Sequence, residues 1–226
     1  MWEFVDKVVY INLEHRTDRR EQMERMTSKF GADKVIRFPA IQHSKGYIGC
    51  SKSHGMVLKM AIENGWNNVL ILEDDAEWND YDSGYEKLLK ITQSDYDVVM
   101  LGGTWVEHDP SSFRLRYGQT CTGYLVNKNY MSTLLANFEE SLANLIRINE
   151  QREFILKTCN FTTNIIDNFK DNDSLYRLDV HWKHLQPRDK WFVVMPPLVY
   201  QTPSYSDIEG TDVDYSDYFG VKKPST

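Results

Sequence analysis

An α/β fold built on a mostly parallel sheet is what this sequence predicts, on three observations. Short runs of β-branched, aromatic and aliphatic residues alternate along the chain with stretches of helical periodicity. One such run, Val69-Leu70-Ile71-Leu72, follows the turn-like Gly65-Trp66-Asn67-Asn68 and reads as a short buried strand. That strand leads directly into three consecutive carboxylates, Glu73, Asp74 and Asp75. Ligands of open α/β sheets gather outside the carboxyl ends of strands, so the triplet marks the candidate functional end of the sheet.

The first strand is expected at residues 7–13, from Lys7-Val8-Val9-Tyr10-Ile11-Asn12-Leu13. A helix follows, with Asp18 and Glu21 spaced as a capping box and Met23, Met26 and Phe30 as its buried face. Arg16, Arg19 and Arg20 crowd the start of that helix, where backbone N–H groups already present positive charge. Arg16 and Arg19 therefore predict an anion site of phosphate type, while Arg20 is assigned to water or neighbouring carboxylates. Residues 35–40 form a second strand that stops at Pro39.

Gly46 and Gly49 precede Ser51 and Ser53, which are read as caps of a helix running to about Asn64 and ending at Gly65. Met56, Val57, Met60 and Ala61 give that helix its apolar face. Beyond the triplet come a helix over 85–92 and a strand over 96–101 that ends in Gly102-Gly103. Asp95 and Asp97 lie before that strand rather than after it and are assigned to a solvated entry. A strand over 122–126 precedes a helix from Tyr130, and a second helical stretch over 150–169 suggests an inserted hairpin. Residues 178–182 read as a short strand with Asp179 and His181 on one side. Residues 191–201 read as a strand interrupted by Pro196-Pro197, followed by an acidic, turn-rich end expected to be mobile over its last dozen residues.

The chain has 226 residues, 41% hydrophobic, which suffices for one sizeable core and predicts one domain. With a net charge of -7 and scattered basic residues, binding to a nucleic-acid backbone is excluded as the main function. No membrane span or signal-peptide layout is visible, which predicts a soluble, cytoplasmic chain. Cys50, Cys121 and Cys159 are odd in number and are read as reduced. Cys50 and His54 share the i,i+4 spacing of one helical face, yet no second ligand pair accompanies them, and Cys50 is read as a packed thiol. Two sequons, at Asn160 and Asn172, matter only in a secretory compartment.

Three adjacent anions repel one another and need a compensating cation or paired base. Alternation along the strand puts Glu73 and Asp75 on one face, and hard oxygen ligands of this kind suit Mg or Mn rather than Zn. Serine hydrolysis is set aside, because Ser53 and His54 are helix neighbours that do not face each other. Two-metal phosphoester hydrolysis needs a second acidic cluster, which the sequence does not supply.

The blocks VVYINLEHRTDRR, GYIGCSKSH, VLILEDD, VVMLGG, TGYLVNKNY, LDVHW and PPLVYQTPSYSDIEG, in that order, resemble glycosyltransferase family 25 from Lys7 to about Gly210. That family includes bacterial lipo-oligosaccharide glycosyltransferases and collagen galactosyltransferase domains. The resemblance implies a GT-A type nucleotide-sugar-binding domain over 1–210, with a helical insertion at about 130–175 and a tail over 211–226. It implies inverting transfer of a hexose from a nucleotide-sugar, a UDP-sugar by family analogy, to a hydroxyl of a glycan or protein acceptor, with a divalent Mn or Mg ion. Within it, Asp75 with Glu73 or Asp74 holds the metal, and the remaining acid orients the ribose. Asp179 is the candidate base, or a further metal ligand together with His181. Asn12 and Leu13 approach the nucleotide, Arg16 and Arg19 the diphosphate, Ser53 lies beside them, and Gln201, Ser206 and Asp207 close the site as a loop. A catalytically silent binding module on the same scaffold is the rival reading.

Overall fold

In the computed structural model, which describes residues 2–158 and 170–221, six strands form the central sheet in the order β2-β1-β3-β8-β5-β9. Strands β1 (Lys7–Asn12), β2 (Val35–Pro39) and β3 (Asn68–Glu73) are mutually parallel. Strand β8 (Gly123–Asn127) runs antiparallel between β3 and β5 (Val98–Met100), and β9 (Trp191–Val193) is parallel to β5. The mostly parallel sheet expected from the sequence is present, and β8 is its one reversed member.

Helices cover both faces. On one side α2 (Gly46–Glu63) and α4 (Lys128–Thr158) pack Val57, Leu58, Leu134 and Phe138 against Val9, Ile11, Val69 and Ile71. On the other, α1 (Thr17–Thr27) and α3 (Tyr81–Thr92) pack Met23, Met26, Tyr85 and Leu88 against Val8, Tyr10, Leu70 and Leu72. Successive strand residues thus enter opposite cores, which is why the runs in β1 and β3 are apolar throughout. Each fully buried aliphatic side chain contributes about 1.5–3 kcal/mol relative to exposure. No described helix is long and apolar enough to cross a membrane.

Several elements differ from expectation. Helix α1 has no capping box: Arg16 is its N-cap and Asp18 accepts from the Arg16 guanidinium instead. Helix α2 begins at Gly46, so Ser51 and Ser53 lie inside it, donating to the carbonyls of Tyr47 and Gly49 rather than capping. Met56 faces outward at 46% exposure, while Val57 and Ala61 are buried as expected. Gly65 adopts φ 66° at the helix end, the left-handed stop that glycine permits. Helix α4 is continuous to Thr158 in place of a hairpin break near residue 150, and the remainder of the expected second helix lies outside the described residues.

An unanticipated hairpin joins β6 (Thr104–His108) and β7 (Leu115–Gln119), with register shifts between its strands. Leu178–His181 is a helical turn rather than a strand, continued by a 3-10 turn over Trp182–His184. The anchor is Trp182, fully buried against Tyr124 and Trp191, and its burial with Leu178 demands helical spacing. The interrupted strand at 191–201 resolves into β9 and β10 (Val199–Gln201), the latter paired antiparallel with β4 (Ala76–Trp78). The acidic stretch after Gly210 folds back as far as Val221: β12 (Thr211–Val213) pairs with β11 (Ser204–Ser206), and Phe219 is buried.

Where β5 ends, the chain passes so close to β10 that a Cβ on Gly102 would lie 2.1 Å from the Val199 carbonyl oxygen. Gly102→Ala should therefore lower stability by about 1–3 kcal/mol in urea unfolding. Gly55→Ala, in open helical space with only Leu135 at 3.9 Å, should leave stability unchanged or raise it. Equal behaviour of the two variants would contradict this close approach.

Candidate functional site

Glu73 is the last residue of β3, and Asp74 and Asp75 form the turn into β4, so strand alternation ends before it can place Asp75 beside Glu73. Asp74 accepts from Arg19 Nη1 at 2.7 Å and from Asn12 Nδ2 at 2.8 Å. Asp75 Oδ2 lies 3.2 Å from Arg19 Nη1 and accepts from Gln201 Nε2 at 2.8 Å. Its Oδ1 is buried without a partner. Arg19 also donates to Ser204 Oγ and to the Tyr205 carbonyl, and it is only 10% exposed as a side chain.

The arginine pair expected to receive a diphosphate is thus engaged from within. Arg19 neutralises the acidic turn, and Arg16 binds Asp18, Asp207 and the Tyr205 carbonyl. The reason is electrostatic: carboxylates withdrawn from water require a cation, and α1 places the nearest one over them. Arg20 pairs with Glu24 one turn on. One guanidinium thus serves two carboxylates of the triplet, while Glu73 lies against His54 and Cys50. Burial, and then the negative charge of Glu73, push the Asp75 carboxyl up to about 7, against the pull of Arg19.

Two cavities open on this turn. The first, about 210 Å³, lies between the end of β1, the 40–43 loop, the start of α2 and the 201–208 segment; Leu13, His15 and Asp207 are among its walls. Its narrowness depends on glycine, since a Cβ on Gly49 would sit 2.4 Å from the Ile41 carbonyl. Ser53 holds the same wall by accepting from Ile41 N at 2.8 Å. The second, about 290 Å³, is lined by Asp179, Thr104, Trp105, Gln119, Arg177 and Tyr215 among others. Cys50, Glu73, Gln201, Ser206 and Ile208 line both and form the partition. Burial and the charge of Glu73 raise the Asp179 carboxyl above the usual range, with Gln119 and Lys183 opposing.

Of the residues singled out in the sequence, Leu13, Arg19, Ser53, Glu73, Asp74, Asp75, Gln201 and Asp207 line the first cavity, and Asp179 lines the second. Asn12 is buried, and its side chain positions Asp74 while accepting from Arg37. His181 is not at the site. Its Nε2 lies 3.6 Å from Glu140 on α4 and its ring packs against Tyr176 and His184, because the helical turn rotates it away from Asp179. Glu73, Asp75 and His181 therefore do not converge as one ligand set. Trp105 was not anticipated; it follows the carboxyl end of β5, where ligands gather, and adopts a strained φ of 49°. Gln119 and Tyr215 had no sequence signal, since both reach the cavity through pairing of distant segments.

A mostly parallel sheet covered by helices, with an acidic turn at the carboxyl end of a central strand, is an open α/β arrangement whose ligand end is the one the sequence marked. The family model described as glycosyltransferase family 25 (LPS biosynthesis protein) matches residues 40–117 of this chain. A glycosyltransferase 25 family member of Drosophila pseudoobscura pseudoobscura is 25% identical over 185 residues, covering 65% of this chain and 29% of the relative. Its Drosophila melanogaster namesake is 29% identical over 105 residues, covering 34% and 17%. A putative glycosyltransferase of Acanthamoeba polyphaga mimivirus is 27% identical over 124 residues, covering 43% and 37%. The chain thus spans well under half the length of these relatives. Among solved structures, a glycosyltransferase involved in glycosylation of the major capsid of PBCV-1 aligns with a TM-score of 0.48 at 9% identity, covering 95% of this chain and 89% of that one. A mannose-1-phosphate geranyltransferase from Thermus thermophilus aligns at 0.46 and 11%, covering 84% and 73%.

Removing Arg19 strands two buried carboxylates, so Arg19→Ala should cost about 3–5 kcal/mol in chemical denaturation at neutral pH. A loss within the error of a surface substitution would refute this role. The folded Asp75 carboxyl holds its proton more tightly than the unfolded one, whose ordinary value is 3.8. Its stabilising contribution is complete below about pH 4 and is lost as pH rises through about 7. Asp75→Asn should flatten the fall in stability across that window, and an unchanged slope in urea midpoints would reject the assignment.

Proposed function

We propose that this chain is an inverting, metal-dependent glycosyltransferase that moves a hexose from a UDP-sugar to a hydroxyl of a glycan or protein acceptor. The observation that carries this reading is the pair of cavities sharing one wall at Glu73 and Gln201, with a proton-accepting carboxylate, Asp179, in the second. The first cavity takes the nucleotide, with Leu13 and His15 at its side and Ser206 and Asp207 as the closing loop. The second takes the acceptor, against Trp105 and Tyr215. Asp179 removes the proton of the acceptor hydroxyl as that oxygen bonds to the sugar carbon and the bond to the diphosphate breaks. Its raised proton affinity supports this role.

The acidic turn fits a divalent cation. Its donors are hard oxygens, Asp75 Oδ1 is buried and unpartnered, and one Arg19 guanidinium is shared between Asp74 and Asp75. Asp75 with Glu73 would hold Mn or Mg, while Asp74 stays with Arg19 and Asn12. Bound there, the ion would offset the charge on the departing diphosphate. One observation favours a second reading, a silent nucleotide-sugar-binding module: the Arg19 guanidinium itself supplies a cation that bridges Asp74 and Asp75.

A panel of sugar nucleotides incubated with Mn, read as released nucleoside diphosphate, separates the two. Release should require the metal and be lost in Asp75→Ala. Asp179→Asn should slow acceptor-dependent release by about 10²–10⁴-fold while calorimetric affinity for UDP stays the same. Binding of UDP with no release from any donor would establish the module instead.

A further inference from the structure

Helix α2 carries Cys50 and His54 on one face, and the end of β3 brings Glu73 against them. One donor atom from each of the three lies within 4.8 Å of the other two, the only such group of three among the described residues. Glu73 Oε1 is 3.9 Å from Cys50 Sγ and 3.6 Å from His54 Nε2. Ligands around a tetrahedral zinc ion stand about 3.5 Å apart, given bonds of about 2.0–2.3 Å. The other imidazole nitrogen, Nδ1, lies 2.7 Å from the hydroxyl of Tyr124, which is fully buried and stacked on the ring. A proton on Nδ1, donated to that hydroxyl, leaves the Nε2 lone pair facing Glu73, which is how outer partners orient metal-binding histidines.

We propose that Cys50, His54 and Glu73 form a binding site for a thiophilic divalent cation of the zinc class, set in the partition between the two cavities. A thiolate and an imidazole select such an ion over Mn or Mg, which the acidic turn suits. The Cys50 thiol proton passes to solvent as its sulfur binds the ion, and a fourth position opens toward either cavity. Taking Glu73 into this set withdraws it from the acidic turn. In a transferase working as proposed above, zinc is therefore an antagonist of Mn, a consequence that rests on that reading while the site itself does not.

Cobalt tests the site without nucleotide or sugar present. In the full chain with Cys121→Ser and Cys159→Ser, leaving Cys50 as the remaining thiol, titration with Co²⁺ should develop a sulfur-to-cobalt charge-transfer band that saturates at one equivalent and is displaced by Zn²⁺. Cys50→Ser and His54→Ala should abolish the band, and Tyr124→Phe, which keeps the ring and removes the hydroxyl, should weaken cobalt binding about tenfold. Circular dichroism of each variant establishes that it is folded. Absence of the band in the folded protein, or its persistence at full strength in His54→Ala, would overturn the site. A band in a chain that releases no nucleoside diphosphate rejects only the transferase, and release without a band rejects only this inference.

Discussion

The contact on which the mouth of this fold depends is the guanidinium of Arg19 over the carboxylates of Asp74 and Asp75. Charges so far withdrawn from water are tolerated only in company, and removal of one partner is far costlier than the pair is beneficial. Through its other donors the same side chain ties α1 to Ser204 and Tyr205, while Asp75 reaches Gln201. One buried cation thereby links the first helix, the acidic turn and the segment that walls both cavities.

Electrostatic balance there is incomplete, and the incompleteness is informative. Glu73 has no guanidinium of its own, and after burial its charge is the next cause that raises the proton affinity of both Asp75 and Asp179. A carboxylate so placed can respond to a hard cation on the Asp75 side or to a soft one on the Cys50 and His54 side. The first cavity stays narrow because Gly49 lets α2 approach the Ile41 carbonyl, and Gly102 lets the end of β5 close on Val199, where any Cβ would intrude. Sheet, glycines and charge therefore act together at one edge, the carboxyl ends of β1, β3 and β5.

Much of the sheet was legible in the chain. β1, β3 and the core of β5 announce themselves because residues buried on both faces must all be apolar, which leaves an uninterrupted run. Boundaries were less so: α2 begins earlier than its serines suggested, since Ser51 and Ser53 satisfy their hydroxyls on carbonyls one turn back. The β6-β7 hairpin leaves no clean alternation in the sequence, because two of the five residues in each strand are exposed and its register shifts. The turn at Leu178–His181 is too short for period to distinguish a helix from a strand.

By itself the sequence determined which chemical groups would be concentrated at the end of β3, because strand composition and an acidic triplet are local and covalently adjacent. Only the tertiary structure decided their partners. Arg19 is 55 positions from Asp74, Asp75 is 126 from Gln201, and Tyr124 is 70 from His54. Pairings across such separations are selected by the shared burial of charge and by the packing of two cores, quantities that belong to the folded chain as a whole and leave no periodic trace along it.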